Sequence, residues 1–189
     1  MSQKRALAIL GSPHSDGITA AMLKHSVGEA EKVGYTVTKI NLYEKNLAFC
    51  TGCRVCLKTE QCVQKDDIQE ITSLLRECQV VILAAPVYWA NVPAPVKNLF
   101  DRLLGIAMEE TAAFPKPKLS GKQYMLLTAC NTPAPFSWIF GQSRGAIHNM
   151  DEFFKTAGMK PMGKIVCANT GKCKSVPENI KRKIAGCWK

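Results

Sequence analysis

Short apolar segments alternate along this chain with longer segments in which apolar residues return every three or four positions. Because a strand that is buried on both faces is apolar throughout, the short segments predict β-strands. Five such strands are predicted, at 5–10, 35–42, 79–85, 122–129 and 164–168. The run QVVILAA at 79–85 is the most apolar of them and is therefore predicted to be the central strand.

The segments with helical spacing fall between these strands. Leu23, Val27 and Ala30, for example, lie on one face of a helix that is predicted to end at Gly34. Similar apolar faces predict further helices at 68–78, the start of which Asp66 or Asp67 can cap, and at 96–103, 147–157 and 177–186. Regular alternation of strand and helix is typical of a doubly wound α/β fold. We therefore predict a three-layer sandwich with a five-stranded parallel sheet of flavodoxin-like order 2-1-3-4-5.

The composition is that of an ordinary globular protein. With 189 residues, 47% hydrophobic and 21% charged, the chain is expected to form a single domain over 1–189 that carries a cysteine-rich loop at 46–65. The apolar run near the N-terminus ends at Gly11, which makes it too short for a secretory signal. No stretch approaches the roughly 18 apolar residues that a membrane span requires. These features predict a cytoplasmic protein that does not bind membranes.

Much of the net charge of +10 comes from the last third of the chain. Such an excess can indicate binding to nucleic acid. Here the basic residues form no patch interleaved with aromatic residues, and no helix-turn-helix pattern accompanies them. We therefore expect no nucleic-acid partner, but a basic surface that attracts phosphate-bearing cofactors or an acidic electron-carrier protein.

Four of the nine cysteines lie within the run CTGCRVCLKTEQC, spaced C-x2-C-x2-C-x5-C. Three thiolates at successive two-residue gaps favour a [4Fe–4S] cluster over a zinc ribbon, which usually combines two distant C-x2-C pairs. The predicted ligands are Cys50, Cys53, Cys56 and Cys62. A zinc site, a disulfide-bonded loop and a set of free thiols remain alternatives. The other five cysteines are expected to be buried or incidental thiols.

Predicted strand one runs directly into the loop GSPHSDGIT at 11–19, and a helix follows. A strand–loop–helix junction directs backbone N–H groups and the positive end of the helix dipole at an anion. Ser12, Ser15 and Thr19 supply hydroxyl donors, and His14 supplies a further donor. The loop has neither the lysine of a Walker A motif nor the G-x-G-x-x-G spacing of a dinucleotide loop. It predicts a phosphate site, with an ordinary tight turn as the alternative.

Predicted strand three ends in PVYWANVP at 86–93. In a doubly wound sheet, ligands bind beyond the carboxyl ends of the strands where the strand order reverses, so this loop and the first one should border a common site. Tyr88 and Trp89 offer aromatic surface on which a planar ring can stack, although such a pair more often lies in a core or an interface. Residues 128–131 after strand four, including Cys130, would form a third wall.

The segments GSPHSDGIT, CTGCRVCLKTEQCVQKDD and APVYWANVPAPVKNLFDR together resemble the NADPH-dependent FMN reductase branch of the flavodoxin-like proteins, and within it the iron–sulfur flavoproteins. The resemblance implies FMN, with its phosphate in the first loop and its ring against the third. It also implies a homodimer or homotetramer in which a cluster lies near the flavin of a neighbouring subunit.

The resemblance assigns cofactor contacts by position. The residues around the phosphate would be Ser12, His14, Gly17, Ile18 and Thr19. Those along the ring would be Pro86, Val87, Tyr88, Trp89, Asn91 and Val92, with Cys130 on the third wall. Two positions depart from the family pattern, since Arg or Lys is common at His14 and Asn is common at Ile18.

Three functions are consistent with these features. The first is an NAD(P)H- or ferredoxin-linked oxidoreductase that passes electrons between FMN and a [4Fe–4S] cluster. The second is a cluster-free NAD(P)H-dependent reductase of FMN, quinones or nitro compounds. The third is a non-enzymatic flavodoxin-like carrier, or a sensor whose cysteine loop binds zinc or forms disulfides. No Ser-His-Asp or paired-carboxylate pattern indicates hydrolysis, and no catalytic side chain is expected because FMN carries the chemistry.

Overall fold

A computed structural model describes residues 3–189 of the chain. Its strands are β1 (Arg5–Leu10), β2 (Thr36–Asn41), β3 (Val80–Pro86), β4 (Met108–Glu109), β5 (Lys116–Pro117), β6 (Gln123–Cys130) and β7 (Lys160–Ala168). Its α-helices are α1 (Ile18–Lys32), α2 (Cys56–Thr59), α3 (Ile68–Glu77), α4 (Ala94–Arg102), α5 (Leu104–Ala107), α6 (Phe136–Ile139), α7 (Gln142–Thr156) and α8 (Glu178–Gly186). Short 3₁₀ turns occupy Leu42–Glu44 and Thr170–Lys172.

Five of the strands form one parallel sheet in the order β2-β1-β3-β6-β7. Counted along the chain without the two-residue strands β4 and β5, this is the order 2-1-3-4-5, and the predicted fold class is confirmed. Strands β4 and β5 pair antiparallel outside this sheet. The sequence does not predict them, because two residues are too few to show a period.

The central strand of the sheet is β3, as predicted, and Val80–Ala85 has no exposed surface. Because successive side chains of a strand point to opposite faces, the strand contributes to two cores. Val81 and Leu83 pack in a cluster with residues of α3, α4 and α7, while Val80 and Ile82 pack in a cluster with residues of α1 and α8. These two layers of helices hold the carboxyl ends of β1, β3 and β6 side by side.

Strand β7 is longer than predicted, since it begins at Lys160 rather than at 164. The added part includes Pro161, which lies opposite Tyr124 of β6 next to an irregularity in the register. Proline lacks a backbone N–H, and it is tolerated here because β7 is an edge strand with a neighbour on one side only. In residues 3–189, no helix has the length and apolar character needed to cross a membrane.

Candidate functional site

A cavity of about 500 Å³ lies beyond the carboxyl ends of β1, β3 and β6. Its position is where the chain order in the sheet reverses, between β1 and β3, as predicted for a ligand site in this fold. Five segments contribute to its wall: the loop after β1 with the start of α1, the loop after β3, the end of β6 with the loop after it, the first residue of α7, and the turn after β7. The predicted cofactor residues in the lining are Ser12, His14, Gly17, Ile18, Thr19, Pro86, Val87, Tyr88, Trp89 and Cys130.

The first loop presents a helix N-terminus to the cavity. Gly17 is the N-cap residue of α1, and no side chain caps the helix. The buried side chain of Ser12 also lines the cavity, and its Oγ accepts a hydrogen bond of 3.2 Å from the backbone N–H of His14. Ser15 is exposed and does not line the cavity, so the expectation that it donates to a phosphate is not supported by its position.

The loop after β3 folds back on itself in a two-residue turn. The N–H of Tyr88 donates to the carbonyl of Asn91 at 2.8 Å, and the N–H of Asn91 donates to the carbonyl of Tyr88 at 2.9 Å. Trp89 and Ala90, at the centre of the turn, both have a left-handed backbone, with φ of 51° and 58°. Turns of this kind usually carry Asn-Gly. The unusual pair places a tryptophan that is 99% exposed at the edge of the cavity.

Two predicted ring contacts, Asn91 and Val92, are not among the residues that line the cavity, and their contact with a cofactor stays a prediction. The turn reverses the chain before these residues, so they lie behind the residues that face the cavity. The Oδ1 of Asn91 accepts a hydrogen bond of 2.8 Å from the N–H of Val92. The side chain of Val92 is buried in the core with α3, α4 and α7.

The third wall extends further than the sequence suggests. Ala129, Cys130 and Asn131 line the cavity, but the buried Thr128 does not, since its Oγ1 donates to the carbonyl of Ala85 at 2.7 Å. Residues that the sequence reasoning missed are Ala90, Thr132, Gln142 and Thr170. Gln142 begins α7, and Thr170 lies in the turn after β7. Both come after the carboxyl end of a strand, and this was the only sequence feature that could have indicated that they line the cavity.

Polar contacts hold the third wall and the turn after β7 together. The Oγ1 of Thr170 donates to Oδ1 of Asn131 at 2.7 Å. The Sγ of Cys130 lies 3.8 Å from Oε1 of Gln142, to which it donates a weak bond. These contacts keep amide and hydroxyl groups at this wall, which can serve the polar edge of a bound ring.

The four cysteines of the cysteine loop (46–65) line a second, smaller cavity of about 40 Å³. Cys50 and Cys53 are exposed, whereas Cys56 and Cys62 are half-buried. Across residues 3–189, however, no three His, Cys, Asp or Glu side chains converge as they would around a single metal ion. The thiols thus surround one space without meeting at a point, and their role as cluster ligands stays a prediction.

The environment of the thiols differs between the loop and the rest of the chain. Hydrogen bonds from the N–H of Val55 and the hydroxyl of Thr51 lower the pKa of Cys53, which favours the thiolate that binds metal. Burial raises the pKa of Cys78 and of Cys167 to about 11. These two thiols are therefore unreactive at neutral pH, in accordance with the expectation for cysteines outside the loop.

The sequence model of a protein family that is described as having a flavodoxin-like fold matches residues 4–188 of this chain. The chain belongs to the flavodoxin-like family. An iron–sulfur flavoprotein of Archaeoglobus fulgidus is 43% identical over 100 residues, which cover 53% of this chain and 46% of the relative. The chain spans about half the length of the first curated relatives it matches.

Solved structures show the same flavodoxin-like fold at low sequence identity. Smu.1420 from Streptococcus mutans superposes with a TM-score of 0.75 at 20% identity, covering 97% of this chain and 96% of that one. An FMN-dependent NADH-azoreductase from Bacillus anthracis, solved in complex with FMN, gives 0.73 at 14% identity, covering 98% of both chains. At these identities the likeness to solved structures concerns the fold alone, whereas relatives at 30% identity or more are named iron–sulfur flavoproteins.

Proposed function

We propose that this chain is an FMN-dependent oxidoreductase that passes electrons between FMN in the larger cavity and a [4Fe–4S] cluster on the cysteine loop. The observation that carries the proposal is the pairing of two sites on one small chain. One is a cavity with a helix N-terminus and an aromatic turn in its wall, and the other is a space lined by four thiols. Similarity to proteins named iron–sulfur flavoproteins supports it.

The residues of the larger cavity fit FMN. The uncapped N-terminus of α1 attracts an anion, and the hydroxyls of Ser12 and Thr19 can donate to the same phosphate. In the turn after β3, the backbone N–H groups of Trp89 and Ala90 have no acceptor within the described chain. They are thus free to bond to the polar edge of a ring, while Tyr88 and Trp89 offer faces for stacking.

The donor set of the cysteine loop fits an iron–sulfur cluster. Four thiolates are the usual ligands of a cubane cluster, whose iron atoms occupy separate corners. The four cysteines line one small cavity, and three of them follow one another at two-residue gaps, a spacing that favours a cluster over a zinc ribbon. When bound, FMN supplies two-electron chemistry and the cluster supplies one-electron transfer.

The net charge of +10 adds an inference about partners. A basic surface attracts acidic proteins and speeds their encounter, especially at low ionic strength. We therefore propose an acidic electron carrier or a small redox substrate, with NAD(P)H as the alternative donor.

The first experiment is an absorbance spectrum of anaerobically purified protein with analysis of iron, zinc and acid-labile sulfide. Flavin bands together with about four irons and four sulfides per chain are expected for one cubane. The variant Cys53→Ser should lose the cluster absorbance and retain FMN, whereas Cys187→Ser, outside the loop, should retain both. Flavin without iron, even after reconstitution, would contradict the cluster.

A cluster-free reductase is the second candidate, and one observation favours it. Among the described residues, no three His, Cys, Asp or Glu side chains are close enough together to hold a metal ion. This candidate predicts steady oxidation of NAD(P)H by protein that contains FMN and no iron, with a quinone or a nitro compound as acceptor. The metal analysis and the turnover assay on the same preparation separate the two functions.

A further inference from the structure

The side chain of Arg102, the last residue of α4, is fully buried beneath the cysteine loop. Its guanidinium forms a two-pronged ion pair with Asp66, in which Nη1 donates to Oδ2 at 2.8 Å and Nη2 donates to Oδ1 at 3.0 Å. The carboxylate is itself only 7% exposed. Since burying charges is costly unless they are paired, such a pair persists only where its geometry is well satisfied.

The same two side chains hold the chain on both sides of the loop. Nη1 of Arg102 also donates to the carbonyl of Ala48 at 2.5 Å, and Nη2 donates to the carbonyl of Gln64 at 3.4 Å. Asp66 accepts the N–H of Ala48 at 3.0 Å and the N–H of Ile68 at 3.0 Å. The ion pair therefore joins the residues just before Cys50 to those just after the last cysteine of the loop.

The remaining donor of this guanidinium points at a predicted ligand. Nε of Arg102 lies 3.3 Å from Sγ of Cys62 and donates to it. A hydrogen bond from a cation stabilises negative charge on sulfur more strongly than a neutral donor does. Reduction of a cluster adds one negative charge, so a donor of this kind favours the reduced state and raises the reduction potential.

The geometry points to Arg102 as a positioning residue that fixes the cysteine loop and tunes a cluster held by Cys62 through its Nε–H···Sγ bond. The part that concerns the cluster rests on the proposed function. The part that concerns the loop does not, because the contacts to Ala48, Gln64 and Asp66 are made by the chain alone.

The decisive variant is Arg102→Lys, which retains the positive charge but replaces the planar guanidinium and its five N–H donors by one ammonium group. A single ammonium cannot reach the carboxylate, the two carbonyls and the sulfur together. In anaerobic redox titrations followed by electron paramagnetic resonance, we expect the cluster of this variant to be about tenfold harder to reduce. That change is about 59 mV for a one-electron couple. The potential of FMN should stay at the wild-type value.

Arg54→Gln is the matched control for charge alone. Arg54 lies in the loop and lines the same small cavity, but its guanidinium pairs with Glu110 and makes no bond to sulfur. If the charge of a nearby cation sets the reduction potential of the cluster, Arg54→Gln should shift this potential more than Arg102→Lys, which keeps its charge. A larger shift in Arg102→Lys supports tuning by the Nε–H···Sγ hydrogen bond. An equal or smaller shift in Arg102→Lys overturns it.

Hydrogen exchange on iron-free protein tests the positioning role whether or not a cluster is ever bound. Amides in 48–66 should exchange at least about tenfold faster in Arg102→Lys than in wild type, because several buried contacts are lost together. Unchanged exchange would overturn the role. If the lysine variant does not fold, the pair Arg102→Met with Asp66→Asn removes both charges at once and is measured in its place. Absence of iron from wild-type protein would refute the cluster proposal alone.

Discussion

The carbonyl oxygen of Ala90 lies so close to Gly145 that a Cβ atom at Gly145 would overlap it. Gly145 belongs to α7, and Ala90 belongs to the turn after β3 that carries Trp89. The helix can thus approach the turn only because this position has no side chain. The contact sets how closely the aromatic turn packs against α7, the helix that supplies Gln142 to the cavity wall.

Gly145→Ala should therefore weaken FMN binding. A methyl group at this position must push the turn away from α7, and binding bears the overpacking cost of about 1–3 kcal/mol when the turn has to return to its original position to receive FMN. Because 1.4 kcal/mol corresponds to a factor of ten, we expect the Kd for FMN to rise about tenfold or more. Quenching of flavin fluorescence measures it. Gly28→Ala in α1 is the control, since nothing lies near its added methyl group. Equal Kd values for FMN in the two variants would show that the contact between Gly145 and Ala90 does not affect FMN binding.

FMN should quench the fluorescence of Trp89. This side chain is 99% exposed at the edge of the cavity, and a stacked flavin would cover it. The variant Trp89→Phe is expected to lose most of the quenching seen when FMN is added to apoprotein. Trp138→Phe, which removes a tryptophan that is 51% exposed and not part of the cavity wall, should lose little. Full quenching in Trp89→Phe would place the ring elsewhere.

The strands of the sheet could be predicted because burial dictates their composition. A strand such as β3 that is covered on both faces has to be apolar, and the run at 79–85 shows it directly. The helices α2, α5 and α6 have four residues each, which is about one turn and leaves no periodicity to detect.

The site was predictable to the extent that it lies at strand ends. The loops after β1 and β3 follow directly from the sheet order, which is why most of the expected residues line the cavity. That Asn91 and Val92 lie outside the cavity wall could not be predicted, because a turn with a left-handed Trp89 and Ala90 has no recognisable sequence signal. Arg102 was missed for another reason: an arginine at a helix end is usually solvated, and only the tertiary structure shows that it is buried.

Ser12 should discriminate FMN from riboflavin. If its hydroxyl donates to the phosphate, Ser12→Ala should raise the Kd for FMN about tenfold and leave the Kd for riboflavin unchanged, since hydrogen bonds to charged groups contribute about 1.5–3 kcal/mol. Titrations with both flavins measure the difference. Ser15→Ala is a matched control in the same loop, because Ser15 is exposed and outside the cavity wall. If Ser12→Ala weakens the binding of FMN and of riboflavin by the same factor, the phosphate does not bind at Ser12.

Asp151 should make the stability of the fold depend on pH in the acid range. Burial raises the pKa of this carboxyl, but hydrogen bonds from Lys155, Lys164 and Tyr124 outweigh burial and leave the pKa below its usual value. The distances are 2.7 Å to Lys155, 2.6 Å to Lys164 and 2.5 Å to Tyr124. A carboxyl with a lowered pKa stabilises the fold above its unfolded pKa, and this contribution disappears as the pH falls through the folded pKa.

Asp151→Asn should thus lower the free energy of unfolding by about 1–3 kcal/mol at pH 7, because an amide cannot balance the two ammonium groups. The difference from wild type should begin to shrink as the pH falls below about 4, where the carboxyl of the unfolded chain takes up a proton, and should disappear only below the lowered pKa of the folded carboxyl. Urea denaturation at the two pH values measures both effects. Asp101→Asn, which breaks an exposed pair with Lys97, should cost about 0–0.5 kcal/mol. A deficit in Asp151→Asn that stays constant with pH would show that packing, rather than the charge of Asp151, accounts for the loss.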